Sequence, residues 1–153
     1  MMAVLRQIVE ADDFMAFLSE DLDPLEPAIG IICMYEKQRQ LIDQMKAEAT
    51  WLGAVNRLIK VDTVDSYRGK ENRIVILSTV RNNPYLNPGF LTSPNRINVA
   101  MSRAMERLYI VGASIMWKKR NEDLPLGRVL NKVETMVAAG RASILPATYF
   151  LET

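Results

Sequence analysis

At 153 residues, 49% of them hydrophobic and 24% charged, the chain carries enough apolar material for one sizeable core. A formal net charge of +1 excludes a bulk electrostatic pull toward nucleic acid or membrane, so any anion-binding surface has to be local. One cysteine, Cys33, and no histidine exclude an internal disulfide framework and Ser-His-Asp or Cys-His catalysis, and no metal site is expected.

Residues 2–19 read as an N-terminal amphipathic helix, with Val4, Ile8, Ala11, Met15 and Leu18 on one face. The prolines of Asp21 to Pro27 mark a connector. Ala28 to Cys33 is a continuous apolar run around Gly30, short enough for a fully buried strand. Glu36 to Leu52 is a second amphipathic helix, with Ile42, Met45, Ala49 and Leu52 inward and Gly53 placed to end it. Leu58 to Val64 forms a second strand, followed by the polar turn Asp65-Ser-Tyr-Arg-Gly-Lys-Glu71. Arg73 to Val80, rich in β-branched residues, is the clearest strand, and Arg81 to Ser93 is a loop.

Pro94 to Gly112 reads as a capped helix running into a buried strand. Ser93 suits the N-cap and Pro94 the first helical position. Ile97, Ala100, Met101 and Ala104 make an apolar stripe, and Leu108 to Val111 is a short apolar run closed by Gly112. Arg96 and Arg103 stand seven residues apart, on one flank of that helix, where two rigid guanidinium groups suit a phosphate. The alternative is a solvated helix face. Beyond it, Ser114 to Lys119 reads as a short helix and Leu126 to Ala138 as a longer one, with Val129, Leu130, Val133 and Val137 inward. Ser143 to Leu145 is a last strand or an arm.

Helices alternating with apolar strands argue for a parallel sheet covered on both faces. Ligands in such sheets sit beyond the carboxyl ends of strands, here the turns after Cys33, Val64, Val80 and Gly112. No apolar run reaches the ~20 residues of a membrane span, and the N-terminus lacks a signal-peptide core. A cytoplasmic location without membrane contact is expected.

Two phosphate motifs fail. Gly69-Lys70 has Val64 where a phosphate-binding loop needs glycine, and Glu71 where it needs Ser or Thr. Ile74 to Leu77 runs into Ser78 and Thr79 instead of a magnesium-binding carboxylate. Any nucleotide would meet this chain as a second wall.

Three ordered segments resemble the C-terminal RecA-like lobe of superfamily 1B helicases, in the branch of the nonsense-mediated-decay helicase and the Okazaki-fragment nuclease-helicase. Ile29-Gly-Ile-Ile-Cys-Met-Tyr-Glu-Lys-Gln38 is similar to the family's G-I-I-T-P-Y-x-x-Q. Val61-Asp-Thr-Val-Asp-Ser-Tyr-Arg-Gly-Lys-Glu71 is similar to motif V, V-x-T-V-D-x-F-Q-G-x-E, and Gly89-Phe90-Leu91 with Arg96 to Ala104 to the motif VI region. The resemblance implies a three-layer α/β/α, RecA-like fold with a mostly parallel sheet: a P-loop NTPase fold without the P-loop. The chain would be one such domain over residues 1–153, with motif V at 61–71 and motif VI at 96–104, cut from a longer helicase.

The resemblance also implies roles. Arg103 matches the arginine finger that reaches the ATP γ-phosphate, and is the catalytic residue. Glu71 and Gly69 match motif V positions beside the nucleotide. Thr63, Asp65 and Ser66 match positions coupling ATP state to the nucleic-acid backbone, and Tyr35 sits in the turn facing the strand. Alternatives stay open: an exposed turn carboxylate for Glu71, a plain strand residue for Thr63, a core-packing helix start for Tyr35. Arg96 is expected to brace the loop. ATP with Mg2+ would be held mainly by the first lobe, with none bound to this chain alone. The partners implied are that lobe and single-stranded DNA or RNA.

Cys33-Met34 replaces the usual Thr-Pro, and Arg68 the usual glutamine. These departures support a rival: a non-catalytic RecA-like module that binds nucleic acid or a partner protein.

Overall fold

The structure is a computed structural model that describes residues 1–19, 26–67 and 71–151. The four apolar runs become β1 (Ile29–Cys33), β2 (Ile59–Thr63), β3 (Asn72–Thr79) and β4 (Ala104–Gly112). They pair in the order β2-β1-β3-β4, and each pair is parallel. The sheet of the described residues is therefore wholly, not mostly, parallel.

Side-chain alternation sends each central strand into two cores. Ile29, Ile31 and Cys33 join Ile74 and Ile76 under Leu5, Ile42 and Leu52 on one face. Ile32, Val75 and Leu77 meet Ile97, Ala100 and Met116 on the other. β1 is buried throughout, so it reads as an unbroken apolar run. β4 lies at the sheet's edge, and there Met105 and Ile110 are exposed.

Five α-helices cover these faces among the described residues: α1 (Met2–Val9), α2 (Phe14–Ser19), α3 (Glu36–Glu48), α4 (Pro94–Met101) and α5 (Pro125–Ala138). The helix expected over residues 2–19 is in fact two. It stops at Glu10, whose N–H caps onto the Arg6 carbonyl, and the chain turns through Ala11, Asp12 and Asp13. Aspartates compete for local backbone bonds and favour such a turn. The break swings Phe14 into the core and leaves Ala11 outside.

α3 ends four residues short of Leu52. Thr50–Leu58 continue as 3-10 turns, kinked at Gly53, whose φ of 48° suits glycine. Leu52 is buried as expected, but Met45 is exposed. α5 starts one residue early, at Pro125, and Val137 at its far end is exposed. Ser114–Trp117 and Lys119–Asn121 are 3-10 turns in place of one short helix. Ser143 to Leu145 forms no strand, and Ile144 and Leu145 are exposed.

Cys33 lies fully buried at the end of β1. Burial, with a smaller push from the Asp43 carboxylate, raises its thiol from 9.0 to about 12. The native thiol should ignore a disulfide exchange reagent that titrates it after unfolding. Because the folded value lies above the unfolded one, the native state keeps a proton that the unfolded state loses. This contribution to stability is whole below pH 9.0 and falls as pH rises toward about 12, at about 1.4 kcal/mol per unit. Urea unfolding midpoints measured up that range should fall, and less so in Cys33→Ala.

Candidate functional site

The connection from β2 to β3 organises the site. It leaves the carboxyl end of β2 and must reach the amino end of β3, on the far side of β1. A parallel crossover usually uses a helix. Here residues 64–71 do it without one in the described part. Val64 is tied by its N–H to the Cys33 carbonyl at 2.9 Å, and Tyr67 by its own to the Thr63 carbonyl at 2.9 Å. The Tyr67 ring then lies over β1, fully buried, with its hydroxyl bonded to Asn72 Oδ1. Asn72 in turn donates to the Pro27 carbonyl, and the Lys60 ammonium covers the ring at 4.6 Å.

Gly30 makes this path possible. A Cβ there would overlap the Tyr67 hydroxyl and stand 2.6 Å from Asn72 Oδ1. The glycine in the middle of an apolar strand is thus a gap for a crossing side chain.

The crossover joins two groups of residues at opposite ends of the sheet. At the carboxyl end stand four of the expected residues. Cys33 and Thr63 are register partners, so the turns after them are neighbours. Thr63 Oγ1 accepts from the Ser66 N–H at 3.3 Å, and Asp65 and Ser66 are exposed. Tyr35 is the N-cap of α3, half-buried, with its ring 5.7 Å from Phe90.

At the amino end stand Glu71 and Arg103. The Asn72 N–H donates to the Arg103 carbonyl at 2.9 Å, which brings Glu71 and Arg103 to neighbouring positions. Glu71 is exposed and Arg103 half-buried. Arg103 Nε is shut off from solvent and has no hydrogen-bond partner among the described residues. An unpaired buried donor is costly, about 1–3 kcal/mol. Nor does an ion pair join Arg103 to an acidic side chain among the described residues. Burial pushes the Tyr67 phenol above its ordinary range, with Asp62 adding to the rise and the Arg103 charge opposing it. Gly69 and Arg68 lie outside the described residues.

Two expectations need correction. Arg96 and Arg103 do not share a flank: α4 ends at Met101, and Arg103 lies in the turn before β4. Arg96 meets Asp65 at the carboxyl end, 3.0 Å away, and braces it as expected. Second, Glu71 and Arg103 lie at the amino ends of β3 and β4, not beyond carboxyl ends. Ser93 occupies the N-cap without a side-chain bond.

Gln38, Ser78 and Arg81 lie in or beside the motif segments, and the sequence alone assigned them no role. Gln38 Nε2 donates to Ser78 Oγ at 2.6 Å and to its carbonyl at 3.2 Å, fastening α3 to the end of β3. The Cys33-for-Thr departure alters the core and not the surface, because this side chain is fully buried.

A parallel sheet in this strand order, layered by helices on both faces, with its loops carrying these groups, defines a RecA-like α/β domain. A family model described as "AAA domain" matches residues 5–115, and the chain belongs to that family. Within it, this is a superfamily 1 helicase-like domain. It is 44% identical over 84 residues to "Helicase required for RNAi-mediated heterochromatin assembly 1" of Schizosaccharomyces pombe, covering 55% of this chain and 8% of that protein. It is 42% identical over 93 residues to "Regulator of nonsense transcripts 1" of Dictyostelium discoideum, covering 60% and 7%. The Arabidopsis thaliana homolog of the latter is 38% identical over 98 residues, covering 63% and 8%. The matches thus span under a tenth of these relatives' lengths. Among the described residues, no helix is long and apolar enough to cross a membrane, and no cluster of acidic or cysteine side chains is built to hold a metal.

Proposed function

We propose that this chain is the second motor lobe of an ATP-dependent DNA or RNA helicase: one RecA-like domain over residues 1–153, working against a first lobe in the same protein. The observation that carries this reading is the Arg103 side chain, half-buried next to Glu71 and in no ion pair among the described residues. A guanidinium whose charge no carboxylate of the chain takes up suits an anion arriving from outside it. ATP fits that demand, with its Mg2+ held by the first lobe. When bound, it supplies a phosphoanhydride whose hydrolysis can drive closure and opening. Arg103 would donate to the γ-phosphoryl oxygens as charge grows on them. Glu71 would face the nucleotide from the next position, beside Gly69. Tyr35, Thr63, Asp65 and Ser66 would line the nucleic-acid track at the other end of the sheet.

The crossover supports this division of labour. One short segment begins in the track at Thr63 and ends at the nucleotide wall at Glu71, so movement at one end has a covalent route to the other. Expressed with the coding sequence that precedes it, the chain should hydrolyse ATP faster when a single strand is added; alone, it should hydrolyse none. A joined protein that binds a strand but never hydrolyses ATP would move the assignment to the passive module.

A further inference from the structure

We propose that Phe90 is a stacking platform for a nucleobase, beside the Arg81 guanidinium, in the single-strand track. This rests on the reading above and adds to it a residue and a mode of contact. Phe90 is 60% exposed although its neighbour Leu91 is fully buried. Its surroundings form a row of two rings flanked by two guanidinium groups. Arg81 Nε donates to the Tyr35 hydroxyl at 2.8 Å, and its guanidinium carbon stands 5.3 Å from that ring's centre. Tyr35 faces Phe90, and Arg96 stands 5.5 Å from the Phe90 ring centre on its way to Asp65.

The row is built rather than accidental. Gly89 has a φ of 56°, and a Cβ there would lie 2.7 Å from the Arg81 guanidinium carbon. That backbone favours glycine, and a side chain there would push the Arg81 guanidinium aside. The loop carrying Phe90 is held by Asn83, which donates to the Asn87 carbonyl at 2.9 Å and accepts from the Asn87 N–H at 2.9 Å. Asn121, buried, also donates to the Leu86 carbonyl at 2.8 Å. An exposed ring on a braced loop loses little freedom when it stacks.

Charge selects the occupant. The Asp65 carboxylate is neutralised by Arg96, whereas Arg81 has no acidic partner among the described residues. The patch therefore offers one apolar face and one uncompensated cation side by side. A single strand of nucleic acid presents the complement, a flat base next to a phosphate.

The test uses the 153-residue chain at low salt, with fluorescence anisotropy of an oligothymidylate and of an abasic strand of the same length. Phe90→Ala should weaken the oligothymidylate roughly fivefold to a hundredfold and leave the abasic strand unchanged. Phe90→Trp should keep affinity and show quenching of its fluorescence on binding. Unchanged oligothymidylate affinity in Phe90→Ala, or an equal loss for both strands, overturns the platform. ATP hydrolysis by the joined protein separates the two readings. If it is absent while the Phe90 effect persists, the motor reading falls and the platform stands; if it is present while Phe90→Ala binds normally, the reverse holds.

Discussion

On the proposed motor reading, Arg103→Ala in a protein that joins this chain to a first lobe should still bind ATP and should lose ~10³–10⁵ in turnover. The argument starts from the free side chain. Arg103 is half-buried and joins no ion pair among the described residues, so its charge is uncommitted in the chain alone. A fixed cation gains most where negative charge grows on the phosphoryl oxygens, in the transition state more than in the ground state. The loss should therefore fall on kcat, with the KM for ATP little changed. Arg103→Lys should recover only a small part, since an ammonium lacks the planar fork that spans phosphoryl oxygens. Binding of a fluorescent ATP analogue and steady-state hydrolysis, measured on the same preparation, separate the two effects. Turnover equal to wild type would remove Arg103 from the nucleotide wall.

Gly30→Val should destabilise the isolated chain by about 2–5 kcal/mol, the sum of overpacking and a broken buried hydrogen bond. The new side chain would displace the Tyr67 hydroxyl from Asn72, and Tyr67 has no free volume to retreat into because it is fully buried. A domain of this size has only about 5–15 kcal/mol to lose. Urea midpoints give the first readout. The second is coupling: Gly30→Ala and Tyr67→Phe touch the same contact, so the double variant should lose less than the sum of the singles. Strict additivity would mean that the two residues do not press on one another.

Strands were the most legible part of the chain. β1 and β3 are buried on both faces, and that burial writes itself as unbroken apolar runs at Ile29 to Cys33 and Ile74 to Leu77. Helix ends were less so. Nothing in the periodicity of Val4, Ile8 and Ala11 reveals that the chain gains more by turning at Asp12 and burying Phe14. The motif residues themselves were found from the sequence, but their distribution was not. Seven residues along a helix put Arg96 and Arg103 on one side only if the helix lasts that long, and it ends at Met101. Phe90 was quoted within its motif, yet its exposure depends on where Tyr35 and Arg81 arrive from 55 and 9 residues away in sequence, as their numbers give. Long-range placement of that kind leaves no local trace.

β4 has a further consequence. Nine residues long and last in its sheet, it leaves one side of its main chain without a neighbouring strand among the described residues. Glu106 and Arg107 interrupt the row with charge, but Met105 and Ile110 beside them are apolar and open to water. Such a rim is a template for self-association, and a molecule with a net charge of +1 has little long-range repulsion to keep copies apart. Concentrated solutions of the chain should therefore drift toward oligomers and turbidity, and added salt, which screens the little repulsion there is, should not prevent it.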